Sequence, residues 1–565
     1  MLRRLETHST EPALVIWNND DTRTELTATE LLERVRRLCG GIRHLEIHRD
    51  SIVIFALGHS EDLICCFLAA LFAGAQPVIF NYPDDQKTTG VYLTQLSDLI
   101  RQSGATVVVT EVQLKWALSG FLSGDDCRVF ETADLSRVEA DSVAGAAAPG
   151  CESGAWLSPG SGEDIAYLQY TSGSSGRRKG VMLSHRAVLA NISAMQSAFQ
   201  MTAADVAVNW LPLYHDFGLV LGLLAPLALG ARVILMSPQK WVRRPVVLLN
   251  AIHEYRGTMT CLPNSAMTHM VRTVRREALS RYSLSTVRLI NWGSEPCRMK
   301  TYQDFVTHFS AAGLQPEALT VGYGMAEMTL CVTSGAIAES IQAEWLDVDH
   351  LTLHRRAIGV PADSPSASCY LSCGVPLPES RVRIVDEEGT TLPDRTVGEI
   401  CVHSPSMFSG YHSSSELTAK VVRDGWYLTG DMGFLNNGEL YFCDRKSDLI
   451  IVGGQNIHAS DVEGVVAGIS GVRETGVVVF GVPNAMTGTN SLIVLCELTR
   501  RHTEAERRQL ELQLRRAVQE SIGVVPNEVL LVGRGELIKT ANGKLARREN
   551  RDRYLAERRQ VRRAA

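Results

Sequence analysis

Apolar positions near the start of the chain switch between two spacings. Leu31, Val35, Leu38 and Ile42 recur at helical intervals behind Thr27-Ala28-Thr29-Glu30, which has capping-box spacing, so a helix is predicted there. Ile52-Val53-Ile54-Phe55 and Thr106-Val107-Val108-Val109 are short β-branched runs, the pattern of strands covered on both faces. Strands alternating with helices predict a parallel, layered α/β domain. Residues 63–80 and 218–236 are apolar enough to query as membrane spans. Gly74, Gln76 and Pro77 break the first, and Pro226, Gly230 and Arg232 the second, so both read as buried core.

Residues 141–163 turn to Ala, Gly, Ser and Pro, a surface connection. A second α/β stretch runs to about Val375, and smaller β elements follow. From about Ser447 a compact piece has strands of its own, Val477-Val478-Val479-Phe480 and Leu492-Ile493-Val494-Leu495, and a charged helix over 504–520. The expected fold class is α/β. A large N-terminal domain (1–446) of layered α/β subdomains plus a β-rich subdomain precedes a small α+β C-terminal domain (447–565). No internal repeat is present.

Composition narrows the function. The chain has 565 residues, 45% hydrophobic and 21% charged, with a formal net charge of −6. That describes a globular protein of two or more domains, with no overall positive field to draw it to nucleic acid or anionic lipid. Basic residues concentrate only at the end: Arg547, Arg548, Arg551, Arg553, Arg558, Arg559, Arg562 and Arg563. They read as a solvated helix end or as a docking patch for an acidic partner. Met1-Leu2-Arg3-Arg4 lacks the apolar core of a secretory signal. The 13 cysteines are scattered, and Cys65-Cys66 and Cys369-x-x-x-Cys373 lack the partners a zinc site needs. Reduced thiols in a cytoplasm are the expectation.

The strongest local signal is Tyr170-Thr171-Ser172-Gly173-Ser174-Ser175-Gly176-Arg177-Arg178-Lys179-Gly180, between an apolar strand (165–168) and a helical pattern beginning near Ser184. Glycines let backbone close around phosphate oxygens, and hydroxyls, amides and Lys179 supply donors. It is not a Walker A loop, because the Gly-Lys-Ser/Thr order is absent. Taken alone, such a run is as readily a linker. It resembles the phosphate loop of the adenylate-forming enzymes, which include acyl-CoA synthetases, peptide-synthetase adenylation domains and luciferases.

Further motifs similar to that family's follow in its order. Leu211-Pro212-Leu213-Tyr214-His215-Asp216-Phe217-Gly218 resembles the segment beside the acyl pocket. Gly293-Ser294-Glu295-Pro296 resembles the adenine-contacting turn, and Tyr323-Gly324-Met325-Ala326-Glu327 the motif whose ring stacks on adenine and whose glutamate holds magnesium. Tyr427-Leu428-Thr429-Gly430-Asp431 resembles the ribose motif, Asp444-Arg445-Lys446-Ser447-Asp448 the interdomain hinge, and Lys544 stands where the family keeps its catalytic lysine. Each alone reads as an ordinary turn; seven in order do not. His215 stays open between a structural histidine and an acyl-pocket gate.

The resemblance implies ATP and Mg2+ as cofactors and a carboxylic acid as substrate. Two anions, a carboxylate and the α-phosphate, have to meet, so Mg2+ on Glu327, the loop donors and Lys544 are expected to neutralise charge. Lys544 lies in the small domain, which is therefore expected to be mobile: closed for adenylation, then swung away to admit a thiol.

Gly374-Val375-Pro376 comes late after Glu327. The intervening stretch, including 347–353 and 355–369, resembles the insertion of fatty acyl-AMP ligases, as do Pro316-Glu317-Ala318 and Ser372-Cys373-Gly374. That branch hands its acyl group to an acyl carrier protein or to a carrier domain of a polyketide or peptide synthase. Trp292, Ser265, Ser447 and Gly454-Gln455-Asn456-Ile457-His458-Ala459 depart from the branch. These departures touch the substrate, because Trp292 would shorten an acyl tunnel. The alternatives are an acyl-CoA ligase, an inactive binding relative and, third, a kinase-like phosphoryl transferase.

Overall fold

A computed structural model describes residues 11–82, 89–122, 127–136, 160–171, 178–446, 449–452, 455–484, 489–539 and 544–564. Thr27 caps the helix Ala28–His44 in a complete capping box with Glu30, and Leu31, Val35, Leu38 and Ile42 all face the core. The first apolar stretch resolves into the helix Glu61–Ala73 and the strand Gln76–Ile79. The second becomes a π-helix, Phe217–Leu224, a short helix, Ala225–Leu229, and the strand Arg232–Met236. A π-helix is rare and is frequent at functional sites. Here a Cβ on Gly218 would meet the Pro212 carbonyl, and one on Gly222 the side chain of Asn209. Among the described residues no helix is long and apolar enough to cross a membrane.

The large domain is built on a nine-stranded sheet. Its six middle strands run parallel in the order Leu319–Gly324, Leu289–Trp292, Met259–Leu262, Val206–Asn209, Arg232–Met236 and Pro12–Trp17, with antiparallel strands at both edges. The chain lays down Val206–Asn209, steps to one side for Arg232–Met236, then to the other for Met259–Leu262. The strand order therefore reverses at Val206–Asn209, and ligands of open α/β sheets gather beyond the carboxyl end of such a strand. A four-stranded parallel sheet centred on Ile52–Ala56 packs beside it, and a β-rich unit follows around Gly398–His403 and Trp426–Asn436. The smaller C-terminal domain holds a three-stranded sheet, Val472–Asn484, Thr489–Leu498 and Glu528–Val532, and the antiparallel pair Leu449–Val452 and Gln455–His458, with cores of its own against the helices Ala459–Ala467, Glu504–Ile522 and Arg547–Ala564.

The stretch resembling an insertion is a hairpin, Ala343–Asp347 with Ala367–Leu371, carrying the helix Val348–His354. Leu346, Leu351, Ala357 and Tyr370 pack it onto Val397, Met432, Phe434 and Tyr441 of the β-rich unit. Asn436 and Arg395 donate to the Glu344 carboxylate at 2.6 and 2.7 Å.

Asp205 anchors the central strands at their starting ends. It is 4% exposed and takes Nε and Nη2 of Arg288 at 2.8 and 2.7 Å, the Thr258 hydroxyl at 2.7 Å and the Thr202 N–H at 2.8 Å. Burial pushes this carboxyl up, but Arg288 and the other donors outweigh it and leave it below its ordinary value. Asp205→Asn should cost about 2 kcal/mol or more in urea unfolding, since it leaves Arg288 half-paired. A folded-state value below the unfolded one means stability present above about pH 4 and lost as pH falls through the folded value. The gap between the two proteins should hold at neutral pH and close in acid, as parallel melts across pH would show.

Candidate active site

Four polar groups collect beyond the carboxyl ends of the central strands. The first begins where Val206–Asn209 ends. Asp216 is buried beside His215, with Nδ1 to Oδ1 at 2.6 Å, and its carboxylate accepts the Phe217 N–H at 2.7 Å. Burial pushes the Asp216 carboxyl up, but His215, that N–H and the charge of Lys544 together hold it below its ordinary value. His215 thus touches a carboxylate at the strand-order reversal, which does not separate its two readings.

The second group follows Leu289–Trp292. Ser294 has φ 69°, a left-handed conformation uncommon for a residue with a Cβ, so both its carbonyl and its hydroxyl face outward. Lys544 donates to that carbonyl at 2.6 Å and to the hydroxyl at 2.7 Å, across 250 residues of sequence. Burial pulls the Lys544 ammonium below its ordinary value, and Glu295 and Asp216 pull it partly back. Glu295 is held in turn by Ser265, through the backbone N–H at 2.7 Å and the hydroxyl at 3.0 Å. Ser265 opens the helix Asn264–Thr273, whose first N–H groups favour an anion. Gly293 has to be glycine, because a Cβ there would stand 2.7 Å from the Gly322 carbonyl; Pro296 completes the turn. Trp292, at the end of the strand, is fully buried and lies parallel to Tyr302, centroids 6.5 Å apart.

The third group joins the sheet to the β-rich unit. Tyr323 donates its hydroxyl to Asp431 Oδ2 at 2.8 Å, and Arg445 Nε lies 3.5 Å from Oδ1. Asp431 and Arg445 are direct partners across an antiparallel ladder. Burial drives the Asp431 carboxyl above its ordinary value, with Arg445 and Tyr323 opposing.

The fourth group surrounds Glu327, 9% exposed. It follows Gly324, where a Cβ would collide with the Leu330 carbonyl, and extended Met325; Ala326, Glu327 and Met328 then form a single 3-10 turn. Thr329 ends that turn at φ 65°, a strained position for a β-branched residue, secured by its hydroxyl on the Ser406 carbonyl at 2.9 Å. Tyr411 donates to Glu327 Oε1 at 2.7 Å, and the Tyr427 hydroxyl lies 3.3 Å from that of Tyr411. The Lys179 ammonium sits over the Tyr411 ring, 5.1 Å from its centroid.

Thr171 and Lys179 are ladder partners closing the hairpin of Ile165–Thr171 and Lys179–Ser184. Ser172, Gly173, Ser174, Ser175 and Gly176, and the hinge position Ser447, lie outside the described residues. The structure brings Ser294, Glu295 and Lys544 together with His215–Asp216, and Tyr323 together with Asp431 and Arg445. Sequence reasoning did not name Tyr411, named Asp216 and Tyr427 only within motifs without a role of their own, and took Ser265 only as a departure. The Gly410–Tyr411 strand is two residues long and leaves no periodic signal. At the C-terminus, Arg547, Arg548, Arg551, Arg553 and Arg558 lie within 4 Å of Glu463, Asp552 (two of them), Glu557 and Glu528, so much of the basic cluster is paired within the chain.

Residues 2–412 match the AMP-binding enzyme family. Over 518 residues the chain is 33% identical to a Caulobacter vibrioides protein named "Putative acyl-CoA synthetase", covering 90% of this chain and 86% of that one. It is 30% identical to the medium-chain-fatty-acid–[acyl-carrier-protein] ligase JamA of Moorena producens, over 95% and 91% of the two chains. A solved structure from a study of fatty acyl-adenylate ligases of E. coli and L. pneumophila superposes with a TM-score of 0.89 at 27% identity, covering 98% of this chain and 97% of that one. With ligases of this kind matching it from end to end, the chain belongs to the AMP-binding enzyme family and is an adenylate-forming ligase.

Proposed function

We propose that the protein joins a fatty or related carboxylic acid to the α-phosphate of ATP, releases pyrophosphate, and passes the acyl group to the phosphopantetheine thiol of a carrier protein. The observation that carries the reading is Lys544 on Ser294, a cation of the smaller domain docked where carboxylate and phosphate would meet. Thr171, the loop from Ser172 to Gly176, and Lys179 would hold the phosphates. Gly293, Ser294, Glu295 and Pro296, with the chain from Tyr323 to Ala326, would hold adenine, and Asp431 with Arg445 the ribose. The small domain, proposed to run from 447, would close for adenylation and leave for thiolation. Trp292 would favour a short or unusual acid, and the cytoplasm is the compartment where ATP and carrier proteins meet.

Glu327 fits a magnesium ion. Among the described residues no group of three or more His, Cys, Asp or Glu side chains could hold a metal. One carboxylate suits a hard cation that keeps its waters and takes phosphate oxygens as ligands. When bound, the ion would neutralise phosphate charge. In the same step this chain's donors orient the triphosphate, and Lys544 meets charge developing at the transferring oxygen.

The hairpin after Glu327 supports a carrier as acceptor. It is packed on the β-rich unit, and Tyr370 also donates to Asp461 of the small domain at 3.4 Å. Arg298 donates to the Ser460 carbonyl nearby at 3.3 Å. Both contacts resist a swing that would open a path for free CoA. A second reading, transfer to CoA itself, is favoured by the name of the Caulobacter relative.

Three experiments test this reading. Lys544→Ala should lower acyl-adenylate formation about 100-fold or more, while synthetic acyl-AMP is still consumed when thiol is supplied. Equal loss of both half-reactions in a folded variant would make the lysine structural. Asp431→Ala should weaken ATP binding about tenfold or more, since a buried charged acceptor is worth about 1.5–3 kcal/mol; calorimetry with unchanged affinity would refute the ribose role. Deleting 347–368 should raise acyl-CoA formation from a low level, read by mass spectrometry against transfer to a phosphopantetheinylated carrier. Abundant acyl-CoA from the intact protein would make it a CoA ligase and leave adenylation as argued.

A further inference from the structure

We propose that Tyr411 is a positioning residue that keeps Glu327 and Lys179 apart yet adjacent, and so sets how tightly a divalent cation is held together with ATP. The proposal rests on the reading of Glu327 as the metal-holding carboxylate. Tyr411 is 2% exposed, and its two ends do different work. The hydroxyl donates to Glu327 Oε1 at 2.7 Å, while the ring face carries the Lys179 ammonium 5.1 Å from its centroid. An aromatic face attracts a cation through its quadrupole, and a phenolic O–H attracts a carboxylate. One rigid phenol thus contacts a carboxylate at one end and an ammonium on its face.

The backbone makes this spacing hard to change. Gly410 and Tyr411 pair with Met182 and Val181 on the strand that Lys179 begins. Ser409 N–H donates to the Met182 carbonyl at 2.8 Å and His412 N–H to that of Gly180 at 2.7 Å. Phe408 N–H donates to the carbonyl of Glu327 itself at 2.8 Å. Residues 408–412 therefore tie the carboxylate's turn to the lysine's strand. Phe408 packs edge-on against Tyr411 and Tyr427, with centroids 4.9 and 5.5 Å away, which fixes the phenol's tilt. The hydroxyl on Oε1 thus fixes how the Glu327 carboxylate is turned.

The test is calorimetry of ATP binding with and without Mg2+, on the full chain. Outer partners that orient a metal-holding side chain are typically worth 10–100-fold in metal affinity. Tyr411→Phe keeps the ring and removes the hydroxyl, so the affinity gained on adding Mg2+ should fall about tenfold while metal-free ATP affinity holds. Turnover should recover at raised Mg2+ with the KM for the acid unmoved, which a general packing defect would not produce. In a Glu327→Gln background the same change should have no further effect on the metal dependence. Full retention of the Mg2+ gain in Tyr411→Phe, or equal losses in both backgrounds, overturns the proposal alone. Wild-type ATP binding that does not respond to Mg2+ overturns the reading of Glu327 and the proposal with it. Should Tyr411→Phe not fold, Tyr411→Leu removes hydroxyl and ring together and should lose the Mg2+ gain and weaken metal-free ATP binding as well; a retained Mg2+ gain overturns the proposal.

Discussion

An ammonium group carried by one domain and received by a backbone carbonyl of another is the contact on which this site is assembled. Lys544 meets a left-handed turn residue, Ser294, and donates to both its carbonyl and its hydroxyl. That turn in turn needs Gly293 against Gly322 and Glu295 held at the start of the helix Asn264–Thr273. Removing a charged side chain from water is costly, and Asp216 and Glu295 repay part of that cost to Lys544. The small domain is therefore drawn to a place already negative.

The acids of the site share one design. Asp216, Glu327 and Asp431 are each buried or nearly so, and each has a donor fixed by a neighbouring element: the Phe217 N–H, the Tyr411 hydroxyl, the Tyr323 hydroxyl. Preorganised groups of this kind need little rearrangement when a charged ligand arrives, which is how electrostatic catalysis is generally achieved. The strained residues Ser294 and Thr329 stand directly in the turns that carry Glu295 and Glu327. Strain of this sort persists where surrounding structure dictates it, here through Lys544 and Ser406.

Much of the fold could be read along the chain because local and tertiary preferences agree there. Thr27 and Glu30 make the capping box their spacing implies, and the β-branched run near Val107 forms a strand displaced by one residue, Val107–Thr110. Local reading stops where distant groups decide. The apolar run from 218 gives no hint of a π-helix, and the close approach of Gly218 to Pro212 and of Gly222 to Asn209 is likewise set by residues outside the run. Ser265 looked like a mere departure because its partner, Glu295, is thirty residues away. The pairing of Lys544 with Ser294 is invisible to periodicity altogether; motif order named both residues without placing one on the other.

The rung between Asp431 and Arg445 has a mechanical meaning. The two residues face each other on neighbouring strands, and Arg445 is the last residue of its strand, Glu439–Arg445. A ligand that drew on the Asp431 carboxylate would also act on Arg445, whose Nε lies 3.5 Å from it. With the ribose role of Asp431 and the domain start at 447 as proposed, sugar binding and the attitude of the small domain would be the two ends of one short lever, with its fulcrum in the final rung of the ladder.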